Sequence, residues 1–153
     1  MTARTRLVKE LKELSRNKVE DVRLEANDSD IHRWKAHLTG PSKTPYEGGT
    51  FVLDIKVPDQ YPLVPPIVYY RTKIFHPNVH FKTGEICLDI LKTAWSPAWT
   101  LHSTCQAILA LMSDAAPDSP LNCDAGNLLR AGDVRGYNAL ARMYTMEYGM
   151  PKR

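Results

Sequence analysis

The chain opens on a helical spacing of apolar residues. Leu7, Val8, Leu11 and Leu14 share one face, and charged residues fill the rest. This predicts an amphipathic N-terminal helix that stops near Asn17. The period then drops to two. Val22, Leu24 and Ala26 alternate with polar residues, as do Trp34, Ala36 and Leu38, and then Phe51, Leu53, Ile55 and Val57. Each set predicts a half-buried strand. The short apolar run Ile67 to Tyr70 predicts a fourth. Asn27-Asp28-Ser29-Asp30 is a turn signal, and Gly40 to Gly49 carries two prolines and three glycines, so it reads as a loop. Connections this short favour an antiparallel meander, because parallel strands need long crossovers.

Between the third and fourth strands lies Pro58-Asp59-Gln60-Tyr61-Pro62-Leu63-Val64-Pro65-Pro66. Four prolines in nine residues forbid a helix or a central strand. Such a segment is a rigid connector, or a stiff mount that presents Leu63 and Val64 to a partner. Residues 71–100 show neither period for most of their length, and an irregular stretch of that size inside a domain is often functional. Helical spacing returns at Leu101, Cys105, Ile108, Leu109 and Met112, with Thr100 as N-cap. A short helix follows from Asp124 to about Ala131, capped near Asn122 or Cys123 and ended by Gly132. Asp133 opens a last helix in which Tyr137, Leu140, Ala141, Tyr144 and Tyr148 share a face, and Gly149 with Pro151 stops it. A run of strands followed by a run of helices means an α+β fold: one helix, a four-stranded meander sheet, a long irregular segment and three C-terminal helices.

Composition adds limits. The 153 residues fit one domain, with 43% hydrophobic and 24% charged residues, an ordinary globular balance. The sequence holds no repeat, no low-complexity linker and no apolar run long enough to span a membrane, so direct membrane insertion is not expected. The charged opening is unlike a signal peptide. A net charge of +3 is too small to suggest nucleic-acid binding. The charge is nevertheless uneven. Arg4, Arg6, Lys9, Lys12, Arg16 and Lys18 crowd the start against Glu10 and Glu13 alone. This is a solvated helix face, or a docking surface for an acidic partner. Cys87, Cys105 and Cys123 are odd in number and lack CxxC spacing, which argues against a disulfide framework and against a zinc site. Reduced, cytosolic thiols are expected, with Cys105 and Cys123 as core or cap residues.

The candidate chemistry sits in the irregular stretch. A cysteine between Ile86 and Leu88 is more often a small core hydrophobe than a nucleophile. Against that, Cys87 follows the turn Thr83-Gly84, Asp89 lies two residues on, and His76 and Asn78 lie shortly upstream. One reading is a Cys/His thiol hydrolase with His76 as base. Yet His76 precedes Pro77, which holds it extended, and a buried imidazole bracing a turn fits equally. The other reading is acyl carriage. A thioester passes between thiols of similar pKa at little free-energy cost, and a thiol of ordinary pKa near 8.5 is already a few per cent thiolate at neutral pH. Aminolysis needs a donor for the oxyanion. The Asn78 amide could supply one, worth roughly 3 kcal/mol by analogy with other such donors. The attacking lysine must lose a proton from a group of pKa near 10.4, which a carboxylate such as Asp89 would assist.

His76-Pro77-Asn78, then Gly84-Glu85-Ile86-Cys87-Leu88-Asp89-Ile90-Leu91, then Trp95-Ser96-Pro97-Ala98 resembles the core of a ubiquitin-conjugating enzyme. Trp34, Gly40-Pro41, Thr44 to Gly49, Tyr61-Pro62 and Pro65-Pro66 extend the resemblance over nearly the whole chain. It implies a single catalytic domain over residues 1–153, with Cys87 accepting ubiquitin from an activating enzyme. Asn78 would stabilise the oxyanion or order the active-site loop, and Asp89 would position or deprotonate the incoming lysine. Ser119 is a further catalytic candidate, standing where many members carry an acidic residue and others a serine. His76 and Pro77 would be structural. Leu63, Pro97 and Ala98, with Arg6 of the basic helix, would contact a RING-type ligase. No cofactor is implied, since ATP is used by the upstream activating enzyme. The stretch from Asp118 to Asp133 resembles the peroxisomal branch of the family in fungi and plants. That implies recycling of peroxisomal import receptors from the cytosolic face of the membrane, through a membrane-anchored partner. Conjugation of another ubiquitin-like modifier is the neighbouring alternative. A catalytically dead ubiquitin-binding relative is disfavoured because Cys87 is present.

Overall fold

The computed structural model describes residues 2–16, 20–118 and 120–151. Its elements follow the expected order. Helix α1 spans Ala3–Leu14, and strands β1 (Val22–Ala26), β2 (Arg33–Thr39), β3 (Thr50–Lys56) and β4 (Ile67–Tyr70) come next. The strands pair antiparallel in chain order. Registers Leu24↔Ala36, Ala36↔Leu53 and Leu53↔Tyr70 carry one row of side chains across the sheet. Alternation puts that row on the inner face, where Ala36 and Leu53 are fully buried. Helix α2 (Leu101–Ser113) packs against β1 and β2 with Leu101, Cys105, Ile108 and Met112 inward. Thr100 and Ser103 form a reciprocal capping box at its start. Helices α3 (Cys123–Arg130) and α4 (Val134–Tyr144) follow, capped by Asn122 and Asp133, with Gly132 between them at φ 76°.

Two helical faces differ from expectation. In α1 the buried residues are Ala3, Leu7 and Glu10, while Leu11 is 42% exposed. A carboxylate has taken an inner position because three donors meet it there, which apolar spacing cannot reveal. The helix ends at Leu14, and Asn17 lies outside the described residues. In the last helix Tyr137 and Ala141 are buried as expected, but Leu140 and Tyr148 are exposed. Thr145, four residues after Ala141, is buried on the same face, and the chain then widens to a π-helix over Thr145–Gly149 that brings Gly149 inward. Gly149 sits against the Phe51 ring, and Thr145 against Gly49.

The irregular stretch is confirmed, with a structure of its own. Tyr69 bridges to Glu85 and Val79 to Ile86, and a 3₁₀ turn covers Asp89–Leu91. Gly84 anchors the first bridge. Its amide donates to the His80 carbonyl at 2.9 Å, and its own carbonyl accepts from Tyr70 at 2.9 Å. Its φ of 78° and the Tyr70 carbonyl, 2.0 Å from where a Cβ would stand, leave room for glycine alone.

Candidate active site

Cys87 is half-buried, while Cys105 is buried and Cys123 exposed. Burial pushes the Cys105 thiol up to about 12, which makes it an inert core residue. Cys123 is the first residue of α3. Cys87 is therefore the cysteine that combines access with a defined frame. Its backbone amide donates to the Asn78 carbonyl at 2.8 Å. Its neighbour Ile86 is buried and pairs with Val79, so the segment carrying the thiol is pinned on the side away from solvent.

The His76-Pro77-Asn78 turn is that pin. His76 is 1% exposed. Its Nε2 donates to the Leu111 carbonyl at 2.7 Å, and its Nδ1 accepts the Asn78 amide at 3.0 Å. These partners fix the neutral tautomer. Burial pulls its pKa down to about 4, opposed by the bond to Leu111. A ring with both nitrogens engaged has no site to take a thiol proton. With both nitrogens bonded inside the turn, His76 offers no free base for the Cys/His hydrolase reading. The Pro77 carbonyl accepts from the amides of Leu121 and Asn122 at 2.8 and 3.1 Å, which ties the start of α3 to the same turn.

Asn78 is 2% exposed, and its side chain points at the loop after α2. Its Oδ1 accepts from the Ala116 amide at 2.8 Å, and its Nδ2 donates to the Ala116 carbonyl at 2.7 Å. An amide has two N–H donors, so one remains. The backbone of Asn78 thus holds Cys87 while its side chain holds residues 114–118. Asp89 is exposed at the start of the 3₁₀ turn, where its carbonyl accepts from Lys92 and Ala94. Ser119 lies outside the described residues.

The expected docking residues lie on two loops joined from behind. Leu63 is 79% exposed, and Pro97 and Ala98 are exposed. Trp95 Nε1 donates to the Pro62 carbonyl at 2.9 Å and links the loops. Arg6 reaches the second of these loops from helix α1. Its Nη2 donates to the carbonyls of Pro97 and Trp99 at 3.0 and 2.8 Å, and its Nε to Glu10 at 3.0 Å. Through Nε and Nη2 it braces the loop from behind. Sequence reasoning missed Glu10 and Ala116. The Arg6–Glu10 spacing of four was the one available signal for the former.

A buried proline turn that suspends a half-exposed thiol beside a meander sheet defines a class. The family model described as ubiquitin-conjugating enzyme matches residues 6–145. The chain belongs to the ubiquitin-conjugating enzyme family and is an enzyme of that kind. Among its relatives, Protein PEROXIN-4 of Arabidopsis thaliana is 63% identical over 153 residues, covering 99% of this chain and 98% of that protein. Ubiquitin-conjugating enzyme E2 pex4 of Dictyostelium discoideum is 60% identical over 145 residues, covering 94% and 97% respectively. A crystal structure of H. polymorpha Pex4p in complex with the soluble domain of Pex22p superposes with a TM-score of 0.90 at 35% identity, covering 97% of this chain and 98% of that one.

Proposed function

We propose that Cys87 accepts ubiquitin from an activating enzyme as a thioester and passes it to a substrate side chain with the help of a RING-type ligase. The observation that carries this reading is the half-exposed thiol of Cys87, whose backbone amide donates to the Asn78 carbonyl at 2.8 Å. In the transfer step the lysine nitrogen attacks the thioester carbonyl, the carbon–sulfur bond breaks, and the thiol is released. Asn78 offers its remaining amide proton to the oxyanion, and Asp89 positions the incoming lysine or takes the proton its ammonium must lose before attack. Cys87 leaves as thiolate and is reprotonated by the proton the amine sheds on forming the amide. The enzyme needs no cofactor of its own, because ATP is consumed upstream. Residues 1–153 act as one catalytic domain.

The setting we propose is the recycling of peroxisomal import receptors. Support comes from the relatives named PEROXIN-4 and pex4, and from the complex of Pex4p with Pex22p. No helix among the described residues is long and apolar enough to cross a membrane. A membrane-anchored partner would hold the enzyme at the cytosolic face. Incubation with activating enzyme, ATP and ubiquitin tests the chemistry. A reductant-labile adduct is expected on the wild type and a reductant-resistant one on Cys87→Ser. No adduct on the wild type ends the proposal. Success only with another modifier redirects it to that modifier.

A further inference from the structure

Glu10 is a charged side chain, 5% exposed, that the transfer chemistry does not use. Three donors from three segments converge on its carboxylate. Oε1 accepts from the Leu101 amide at 2.7 Å, at the start of α2. Oε2 accepts from the Tyr61 hydroxyl at 2.5 Å and from Arg6 Nε at 3.0 Å. Burial, and then the charge of Glu10 itself, hold the Tyr61 phenol well above its ordinary range, so it remains a donor.

Two of these donors, Tyr61 and Arg6, lead on to the exposed patch. Tyr61 packs on Trp95 with ring centroids 5.8 Å apart, and Trp95 donates to the Pro62 carbonyl beside Leu63. Arg6 lies 5.6 Å over the Tyr61 ring and donates to the Pro97 carbonyl beside Ala98. One carboxylate thus stands at the root of both arms. A buried ion pair is weak evidence for stability, because desolvation offsets much of its attraction. Its directional bonds do fix geometry.

We propose that Glu10 is a positioning residue that holds Leu63 and Ala98 in register as one docking surface. This rests on the ligase reading given above. A preformed surface binds more tightly than one that must order on contact. Glu10→Gln removes the charge that holds Arg6 while keeping the length and one acceptor.

Amide hydrogen exchange and ligase titration test this on the full chain. The Leu63 amide donates to Gln60 and the Ala98 amide to Ser96 Oγ, so both report on their loops. In Glu10→Gln both amides are expected to exchange about tenfold faster, together, with Leu53 of the sheet unchanged. With a RING domain chosen because it accelerates discharge of the wild-type conjugate, the ligase KM is expected to rise about tenfold while kcat at saturation holds. Should Glu10→Gln not fold, Tyr61→Phe and Arg6→Met each remove one arm. Tyr61→Phe then speeds exchange at Leu63 alone, and Arg6→Met at Ala98 alone. Unchanged exchange at both amides, or loss confined to Leu101, overturns the proposal. So does an equal fall in kcat and melting temperature with KM unmoved, which marks a merely structural group. A wild type that forms no ubiquitin adduct fails the ligase reading instead. The exchange experiment still decides the role of Glu10 in that case.

Discussion

The Cys87 amide hangs from the Asn78 carbonyl at 2.8 Å, so the residue that carries the candidate thiol is positioned by main chain. The Asn78 side chain is thereby free for another task, and it grips both polar groups of Ala116. Asn78→Ala leaves the main-chain bond to Cys87 in place. Thioester loading is expected to persist, while single-turnover discharge to free lysine falls about a hundredfold for loss of an oxyanion donor. Two buried hydrogen bonds are also lost, about 2 kcal/mol in all. Loading and discharge assays on one preparation, with urea unfolding alongside, separate these effects. Equal loss of loading and discharge would remove the oxyanion role.

His76 makes stability depend on pH. Its folded pKa is depressed to about 4 from an ordinary 6.5. The unfolded chain therefore takes up a proton between those values that the fold refuses. Stability is complete above pH 6.5 and falls as pH drops towards 4. Each pKa unit corresponds to about 1.4 kcal/mol, so the loss approaches about 3 kcal/mol. Urea unfolding at pH 7 and pH 4.5 measures it. In His76→Gln that part of the slope is expected to vanish, and a slope identical to wild type contradicts the assignment.

Gly84 fixes the turn three residues before Cys87. A methyl group there meets the Tyr70 carbonyl, and its φ of 78° disfavours any side chain. Gly84→Ala is expected to cost about 2–4 kcal/mol and to pull the Tyr69–Glu85 bridge apart. Chemical denaturation measures the first effect. Loss of Tyr70 amide protection, whose N–H donates to the Gly84 carbonyl at the bridge, reports the second. A variant as stable as the wild type would show that the turn relaxes freely.

Much of the fold was legible because sheet burial has period two and four alternating or apolar runs stand between plain turn signals. Caps at Thr100, Asn122 and Asp133 were legible too, since capping is a local bond. Contacts between distant segments were not. Asn78 and Ala116 lie 38 positions apart, and nothing in either neighbourhood names the other. Glu10 faces inward because Leu101 and Tyr61 reach it from across the chain. Nor does composition announce the π-helix over Thr145–Gly149, whose widened turn buries Gly149 where a regular helix would bury Tyr148.

Leu63 separates docking from stability. At 79% exposure it contributes little to the core, so Leu63→Ala should change stability by less than about 0.5 kcal/mol. An exposed apolar knob on a stiff proline mount is suited to filling a partner's pocket. The ligase KM is expected to rise about tenfold. Titration of discharge rate against a RING domain active on the wild type reads it. An unchanged KM would move the docking surface away from this loop.

Asp89 separates lysine activation from thioester chemistry. Its carboxylate is exposed two residues beyond Cys87, where an incoming ammonium can reach it. If the carboxylate takes up or steers the lysine proton, its loss matters most when the lysine arrives protonated. Asp89→Ala is therefore expected to slow discharge to free lysine by about a hundredfold near pH 7. The deficit should shrink as pH approaches the free lysine pKa of about 10.4, since solvent then supplies the neutral amine. Discharge to hydroxylamine, a nucleophile already neutral at pH 7, should be little affected. Single-turnover rates across pH 7 to 10 with both nucleophiles decide the matter. A deficit of equal size for both, constant with pH, would show that Asp89 shapes the site without acting on the lysine proton.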